Sequence, residues 1–104
     1  MRPIDLLRQA RELLADPKRW TQGTGARAGD GLATGVHSAN AICWCAWGAL
    51  VYVHTDLNSL SDSLDLIATI VGESEVSSWN DAPERTHEEV LAAFDRAIEL
   101  AGET

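Results

Sequence analysis

Apolar residues recur every three or four positions near both ends of the chain, and this spacing predicts two amphipathic helices. The first is predicted over residues 3–15, where Pro3 stands in the first turn and its missing amide proton costs nothing. The second is predicted over residues 86–101, where Thr86 and Glu89 have the spacing of a capping box. Both helices are expected to bury one apolar stripe in the core.

Two further helices are predicted in the middle of the chain. Residues 39–53 are apolar on every side, which is typical of a buried helix, so this helix is expected to be the central element. Ser38 or Asn40 can cap its start. Another helix is predicted over residues 59–71, and Gly72 is its natural C-terminal stop.

Residues 20–37 are rich in glycine and show no helical period. Residues 20–28 and 32–37 can pair as the two arms of an irregular β-hairpin around Gly29-Asp30-Gly31, which is a strong turn signal. With about four helices around this hairpin, the sequence predicts an α+β fold. A chain of 104 residues has material for one core, so we expect a single domain over residues 1–104.

Charge divides the chain into two unlike parts. Residues 1–55 hold six Arg or Lys and four Asp or Glu, a net charge of +2, whereas residues 56–104 hold two Arg and twelve Asp or Glu, a net charge of −10. The acidic part repels phosphates, which disfavours direct binding to nucleic acid. It either keeps the protein soluble or docks on a protein partner with a basic surface.

The cysteines and the absence of long apolar segments bear on the cellular location. A disulfide between Cys43 and Cys45 would be strained, and two free thiols fit a reducing compartment. No apolar stretch reaches the roughly 18–20 residues that cross a bilayer. The first residues lead directly into a helical pattern rather than into a signal peptide. We therefore expect a cytoplasmic protein that does not bind a membrane.

One set of residues has the chemistry of a thiol hydrolase or transferase. Cys43 or Cys45 would be the nucleophile, His87 the base, and Asn80 or Asp81 the group that orients the base. Their spacing is not diagnostic, because cysteines are often buried as small apolar residues and the histidine lies in the capping-box turn. This set is kept as an alternative to a protein without catalytic residues.

Two other kinds of site are disfavoured. A Cys-x-Cys pair on a helix does not converge on one ion, and His37, His54 and His87 do not supply the usual second ligand pair, so no metal and no cofactor are expected. Residues 23–28 match the pattern G-x-G-x-x-A. They lack the preceding strand and the following helix that dinucleotide binding requires.

Aromatic and polar residues offer candidates for a binding surface. The four tryptophans are expected mainly in the core, but an exposed one would indicate an interface or a pocket wall. They are Trp20, Trp44, Trp47 and Trp79. The hairpin supplies the candidate binding residues Trp20, Gln22, Arg27 and Asp30.

Three motifs lie between residues 20 and 90 and carry a resemblance that covers nearly the whole chain. They are Trp20-x-Gln22-Gly23, Cys43-x-Cys45-Ala-x-Gly48-Ala-Leu50, and Trp79-Asn80-Asp81-x-x-x-Arg85-Thr86-x-x-Glu89-Val90. Together they resemble a family of small uncharacterised bacterial and phage proteins, a domain of unknown function. The resemblance implies a phage or mobile-element setting rather than a particular reaction.

The sequence thus favours a non-enzymatic protein-binding or accessory module, with the acidic C-terminal half or the glycine-rich hairpin as its contact surface. This prediction depends on the charge of −10 in residues 56–104 and on the lack of a convergent catalytic set. The first alternative is the cysteine-dependent enzyme. The second is a structural subunit or homodimer joined through the tryptophan-bearing helix.

Overall fold

The computed structural model describes residues 1–102, and within them the chain forms five α-helices and two β-strands. The helices are α1 (Pro3–Leu13), α2 (Ala46–Val53), α3 (Leu57–Val71), α4 (Val76–Asp81) and α5 (His87–Gly102). The strands are β1 (Ala26–Ala28) and β2 (Ala41–Trp44), and a 3-10 turn at Pro17–Arg19 follows α1. The predicted α+β class is therefore confirmed.

The core lies where α1, α3 and α5 pack against one another and α2 packs against α1 and α3. The predicted apolar stripes face this core, because burial of apolar side chains is the main force that holds amphipathic helices together. The fully buried side chains of these helices include Leu6, Leu7, Ala10, Leu50, Ile67, Val90, Phe94 and Ala97.

The predicted end signals of the helices are largely confirmed. In the capping box, Thr86 Oγ1 accepts the Glu89 amide proton at 3.1 Å, and Glu89 Oε1 accepts the Thr86 amide proton at 3.0 Å. Gly72 ends α3 in the left-handed conformation, with φ of +74°. The start of α3 lies two residues earlier than predicted, because Asp56 Oδ1 accepts the Ser59 amide proton at 2.7 Å and caps it.

The predicted helix over residues 39–53 differs from the structure in its first part. Residues 41–44 form β2, and only Ala46–Val53 form a helix. The cap is Cys45 rather than Ser38 or Asn40, because Cys45 Sγ accepts the Gly48 amide proton at 3.2 Å. A run that is apolar on every side has no period that separates a buried strand from a buried helix.

The predicted hairpin has its turn in place, but its first arm forms a strand only over Ala26–Ala28 rather than over residues 20–28, and its second arm is wrong. β1 pairs antiparallel with β2, with Ala26 opposite Trp44 and Arg27 opposite Cys43. Residues 32–37 form no strand, and Ala33 makes only an isolated bridge to Arg27. The physical reason is burial: β2 places Cys43 and Trp44 in the interior, whereas the side chain of Leu32 is exposed.

The composition predicted that the central helix would be buried on every side, and this prediction is wrong for α2. Ala46, Ala49 and Leu50 are fully buried, but Trp47 and Tyr52 are 39% and 42% exposed. At about 100° per residue, Trp47 and Tyr52 lie to either side of the face formed by Ala46, Ala49 and Leu50, so they remain at the surface. Among residues 1–102, no helix has the length and apolar character that a membrane span requires.

Candidate functional site

The buried side chain of Asn80 joins α4 to the start of α2 and to the segment before β1. Its Oδ1 accepts the indole N–H of Trp20 at 2.7 Å and the amide proton of Ala46 at 3.0 Å. Its Nδ2 donates to the Thr21 carbonyl at 3.0 Å and to Asp81 Oδ1 at 3.1 Å. The Ala46 amide is one of the N-terminal helix donors that have no partner within the helix, so Asn80 completes the cap of α2 from outside.

Gln22 and Gly23 attach the loop after Trp20 to the C-terminal end of α4. Gln22 Nε2 donates to the carbonyl oxygens of Asn80 and Ala82, both at 2.9 Å. The Gly23 amide donates to Asp81 Oδ1, also at 2.9 Å. Five of the residues named in the first and third sequence motifs thus meet through hydrogen bonds between distant parts of the chain. That set is Trp20, Gln22, Gly23, Asn80 and Asp81.

Gly48 lets the same loop approach α2 to backbone contact. A Cβ atom on Gly48 would lie 2.1 Å from the carbonyl oxygen of Gly25, which is far inside van der Waals distance. The close approach allows that carbonyl to accept the Cys45 amide proton at 3.1 Å. On its other side, a Cβ atom on Gly25 would lie 3.2 Å from the Trp47 ring, so the loop packs beside this indole.

These contacts leave a surface cleft, which we term the Trp47 cleft, between the loop at residues 23–25, the start of α2, and α4. Its volume is about 470 Å³. Its lining residues are Gly23, Thr24, Gly25, Cys45, Trp47, Glu75, Ser77 and Asp81. Because Asn80, Gln22 and the close approach at Gly48 hold the loop, the loop wall of this cleft is fixed by the fold.

Two somewhat larger surface clefts, of about 580 and 600 Å³, lie along α1. Arg8 lines both of them, and its side chain is exposed. Neither cleft is lined by a residue of the three sequence motifs. We therefore take the Trp47 cleft, where the motif residues converge, as the candidate functional site.

The Trp47 cleft combines an aromatic wall with acidic groups. Glu75 and Asp81 both line it, and within residues 1–102 neither carboxylate forms an ion pair with a Lys or Arg. Arg27 lies near Gly23, but its N–H groups donate to Thr21 Oγ1 and to loop carbonyls at 2.9–3.0 Å. The cleft thus carries two carboxylates, and the Arg27 guanidinium beside Gly23 is engaged in holding the loop.

The structure places Cys45 and Asp81 in the lining of the same cleft, but it does not place the candidate base His87 on either thiol. Cys45 Sγ accepts from Gly48, Cys43 Sγ faces the carbonyl of Arg27 at 3.9 Å, and His87 Nε2 is 2.6 Å from the carbonyl oxygen of Leu14. In the described part of the chain, no hydrogen bond links either thiol to this histidine. Burial raises the pKa of the Cys45 thiol, which disfavours the thiolate that nucleophilic attack requires.

Asn80 and Asp81, the candidate orienting groups, act in the network that holds the loop. The candidate binding residues Trp20, Gln22 and Arg27 are likewise engaged in hydrogen bonds inside the protein. The fourth hairpin candidate, Asp30, lies exposed at the turn, where Oδ1 accepts the Leu32 amide proton at 3.0 Å.

The remaining histidines lie at another part of the surface. The His37 ring is 5.9 Å from the Tyr52 ring and 6.4 Å from the His54 ring, measured between centroids. Across residues 1–102, no group of three or more His, Cys, Asp or Glu side chains is placed to hold a metal ion.

Thr24, Glu75 and Ser77 line the cleft but were not among the sequence candidates. No local pattern marks them, because the cleft is formed by segments about fifty residues apart in the chain. The sequence indicated that an exposed tryptophan would mark an interface or a pocket wall, but it did not indicate which of the four is exposed. The structure shows that Trp47 is exposed.

Comparison with known proteins agrees with the motif resemblance. Neither a curated protein nor a solved structure gives a significant match to the chain. A family described as a family of unknown function matches residues 1–100, which include all three motifs. The chain therefore belongs to this family of unknown function, DUF6197.

Proposed function

We propose that this domain is a non-enzymatic protein-binding module and that the Trp47 cleft is its contact surface. The observation that carries the proposal is Trp47, which is 39% exposed in a cleft whose loop wall is held by hydrogen bonds. Tryptophan is among the residues that most often dominate binding energy at protein interfaces. A wall held in place before binding also reduces the entropy that association costs.

Binding is favoured over thiol catalysis by the chemistry of the cleft. Cys45 is the one residue of the candidate thiol set with a nucleophilic side chain in the lining, and its sulfur caps α2. No histidine is among the lining residues. A thiol at the base of this cleft thus has no imidazole base beside it, which nucleophilic catalysis of this kind requires.

The proposed partner is a protein with a basic surface rather than a nucleic acid. The carboxylates of Glu75 and Asp81 lie in the part of the chain that carries a net charge of −10, and they repel phosphates. The proposed setting is the cytoplasm, because Cys43 and Cys45 are both free thiols. A phage or mobile-element origin is part of the same proposal.

The proposal is tested by comparing proteins captured from bacterial lysate by the wild-type chain and by two variants. Trp47→Ala removes the exposed wall of the cleft, and Tyr52→Ala is the matched control, since Tyr52 is 42% exposed on the same helix but outside the cleft. We expect a protein that is captured by the wild type and by Tyr52→Ala, and lost with Trp47→Ala at unchanged melting temperature.

Three results would overturn the proposal. The first is that no protein is captured, and the second is that capture is the same with Trp47→Ala. The third is a homodimer, measured by light scattering, that Trp47→Ala dissociates, because the cleft would then serve self-association.

Thiol alkylation separates the proposal from the cysteine-dependent enzyme. Cys43 and Cys45 are both buried, and the raised pKa of Cys45 lowers its thiolate fraction at neutral pH. We therefore expect iodoacetamide to label the folded chain far more slowly than the chain unfolded in denaturant, as counted by mass spectrometry. Rapid labelling of one thiol in the folded chain would favour the enzyme.

A further inference from the structure

We infer that the Trp47 cleft takes an arginine side chain of its protein partner, an inference that rests on the proposed function. The inference is based on a difference between two tryptophans in this chain. Trp79 is buried beneath an arginine of the chain itself, whereas Trp47 presents an exposed indole beside two carboxylates.

The Trp79 site shows how this protein holds a guanidinium group. Arg85 Cζ lies 4.3 Å from the centroid of the Trp79 ring, so the cation lies over the aromatic face. Arg85 Nη1 donates to Glu89 Oε2 at 3.2 Å, and Arg85 Nε donates to the Trp79 carbonyl at 3.0 Å. An aromatic face, a carboxylate and a carbonyl oxygen together satisfy both the charge and the planar donors of arginine.

The Trp47 cleft offers the same kinds of group, and no Lys or Arg is among its lining residues. The indole of Trp47 and the carboxylates of Glu75 and Asp81 share its lining. Among residues 1–102, no Lys or Arg lies over the Trp47 ring, and the hydrogen bonds that Asp81 accepts all go to Oδ1. Oδ2 of Asp81 and the carboxylate of Glu75 therefore remain as acceptors for a ligand.

The chain's own nearby arginine cannot be the occupant. Arg27 Nε donates to Thr21 Oγ1 at 2.9 Å, Nη1 to the Gly31 carbonyl at 3.0 Å, and Nη2 to the Gln22 carbonyl at 2.9 Å. All three guanidinium nitrogens are thus engaged in holding the loop. The guanidinium that completes the cleft must come from another molecule.

Charge and shape together select arginine among the possible side chains. A carboxylate or phosphate would be repelled by Glu75 and Asp81, and an apolar side chain would take these carboxylates out of water without a partner. Lysine would satisfy the charge, but its compact ammonium group cannot stack flat on an indole or donate two parallel hydrogen bonds to a carboxylate. Arginine can do both.

The test is an NMR titration of the full chain, with the tripeptide acetyl-Gly-Arg-Gly-amide as the probe. The indole N–H signal of Trp47 is assigned by its loss in Trp47→Phe. Two matched peptides replace arginine by citrulline, which keeps the shape and removes the charge, or by lysine, which keeps the charge and changes the shape. Glu75→Gln is the matched protein variant, because Glu75 is exposed and makes no side-chain hydrogen bond within the described residues.

We expect the arginine peptide to shift the Trp47 signal in a saturable manner and the citrulline peptide to leave it unchanged. Replacement of Trp47 by alanine, followed through the Gly25 amide signal, should weaken binding roughly 2- to 30-fold, the range of a cation–π contact. Glu75→Gln should weaken it by a smaller factor, and added salt should weaken it further.

Three outcomes would overturn the inference: no shift of the Trp47 signal, an equal shift with the citrulline peptide, or lysine binding as tightly as arginine. If lysate capture still depends on Trp47 while the arginine peptide fails, the protein-binding proposal stands and only this inference falls. If capture is independent of Trp47, the protein-binding proposal falls whatever the peptide does.

Discussion

The packed helices α1, α3 and α5 and the segment from Trp20 to Trp44 are held in place by different forces. The helices bury periodic apolar side chains against one another, with Phe94 among the largest of the fully buried ones. The segment has short strands and many glycines, and it buries few side chains, among them Ala26 and Trp44. It is attached in addition through directed hydrogen bonds that meet at Asn80 and through one close backbone approach at Gly48.

The difference teaches which part of the molecule tolerates change. Apolar burial has little directional requirement, so an exchange of one apolar side chain for another of similar volume in the helical core usually costs less than about 1.5 kcal/mol. A hydrogen-bond network has direction, and removing one partner leaves buried donors unpaired. The loop wall of the Trp47 cleft is held by the hydrogen-bond network, so the shape of the cleft depends on few residues.

The largest effect is expected in the helical core, from Phe94→Ala. Its side chain is fully buried, and its removal leaves a cavity as well as a lost apolar contact. We expect the free energy of unfolding to fall by about 3–5 kcal/mol, as measured by urea denaturation. A loss below 1 kcal/mol would show that the helices are not held by this core.

The next effect is expected from Asn80→Ala, which breaks the network between the two regions. The variant leaves the Trp20 indole N–H and the Ala46 amide without their acceptor, so we expect a loss of about 2–4 kcal/mol. Hydrogen exchange should accelerate first in residues 20–25, while the amides of α5 keep their protection. Uniform acceleration over the whole chain would contradict the separation of the two regions.

Gly48→Ala tests the close backbone approach. The sign of the change in the free energy of unfolding shows whether the space beside Gly48 is occupied. Alanine in a helix with free space would stabilise the protein, by about 1 kcal/mol relative to glycine. Because the new Cβ would lie 2.1 Å from Gly25 O, we expect instead a loss of about 1–3 kcal/mol in the free energy of unfolding. Gly35→Ala is the matched control, since its Cβ would meet nothing within 4 Å, and it should have little effect.

The smallest effect is expected at the capping box of α5, from Thr86→Ala. Loss of the hydroxyl that accepts the Glu89 amide proton should cost about 1 kcal/mol, as measured by thermal unfolding at neutral pH. An unchanged melting temperature would mean that the cap adds no stability.

The same cap makes a pH-dependent contribution. The Thr86 amide donates to the Glu89 carboxylate and holds the pKa of Glu89 below its usual value. The contribution of the ionised carboxylate is therefore present above the unfolded pKa and lost as pH falls through the folded pKa. Glu89→Gln should accordingly lower stability at neutral pH and have less effect in acid.

The sequence by itself determined the elements whose signals are local. The stripe and the proline of α1, the Gly72 stop of α3, and the Thr86–Glu89 box of α5 each lie within a few residues of the structure they specify. Period and capping chemistry are properties of neighbouring residues, so they can be recognised without knowing the fold.

Only the tertiary structure decided the rest. Residues 41–44 become a strand because β1 supplies the partner, and Cys45 becomes a cap because the helix starts after that strand. The Trp47 cleft likewise depends on Asn80, which holds two segments together that lie about sixty residues apart. Such contacts form between residues that are distant in the sequence. A short apolar or polar motif does not indicate which distant residue it will contact.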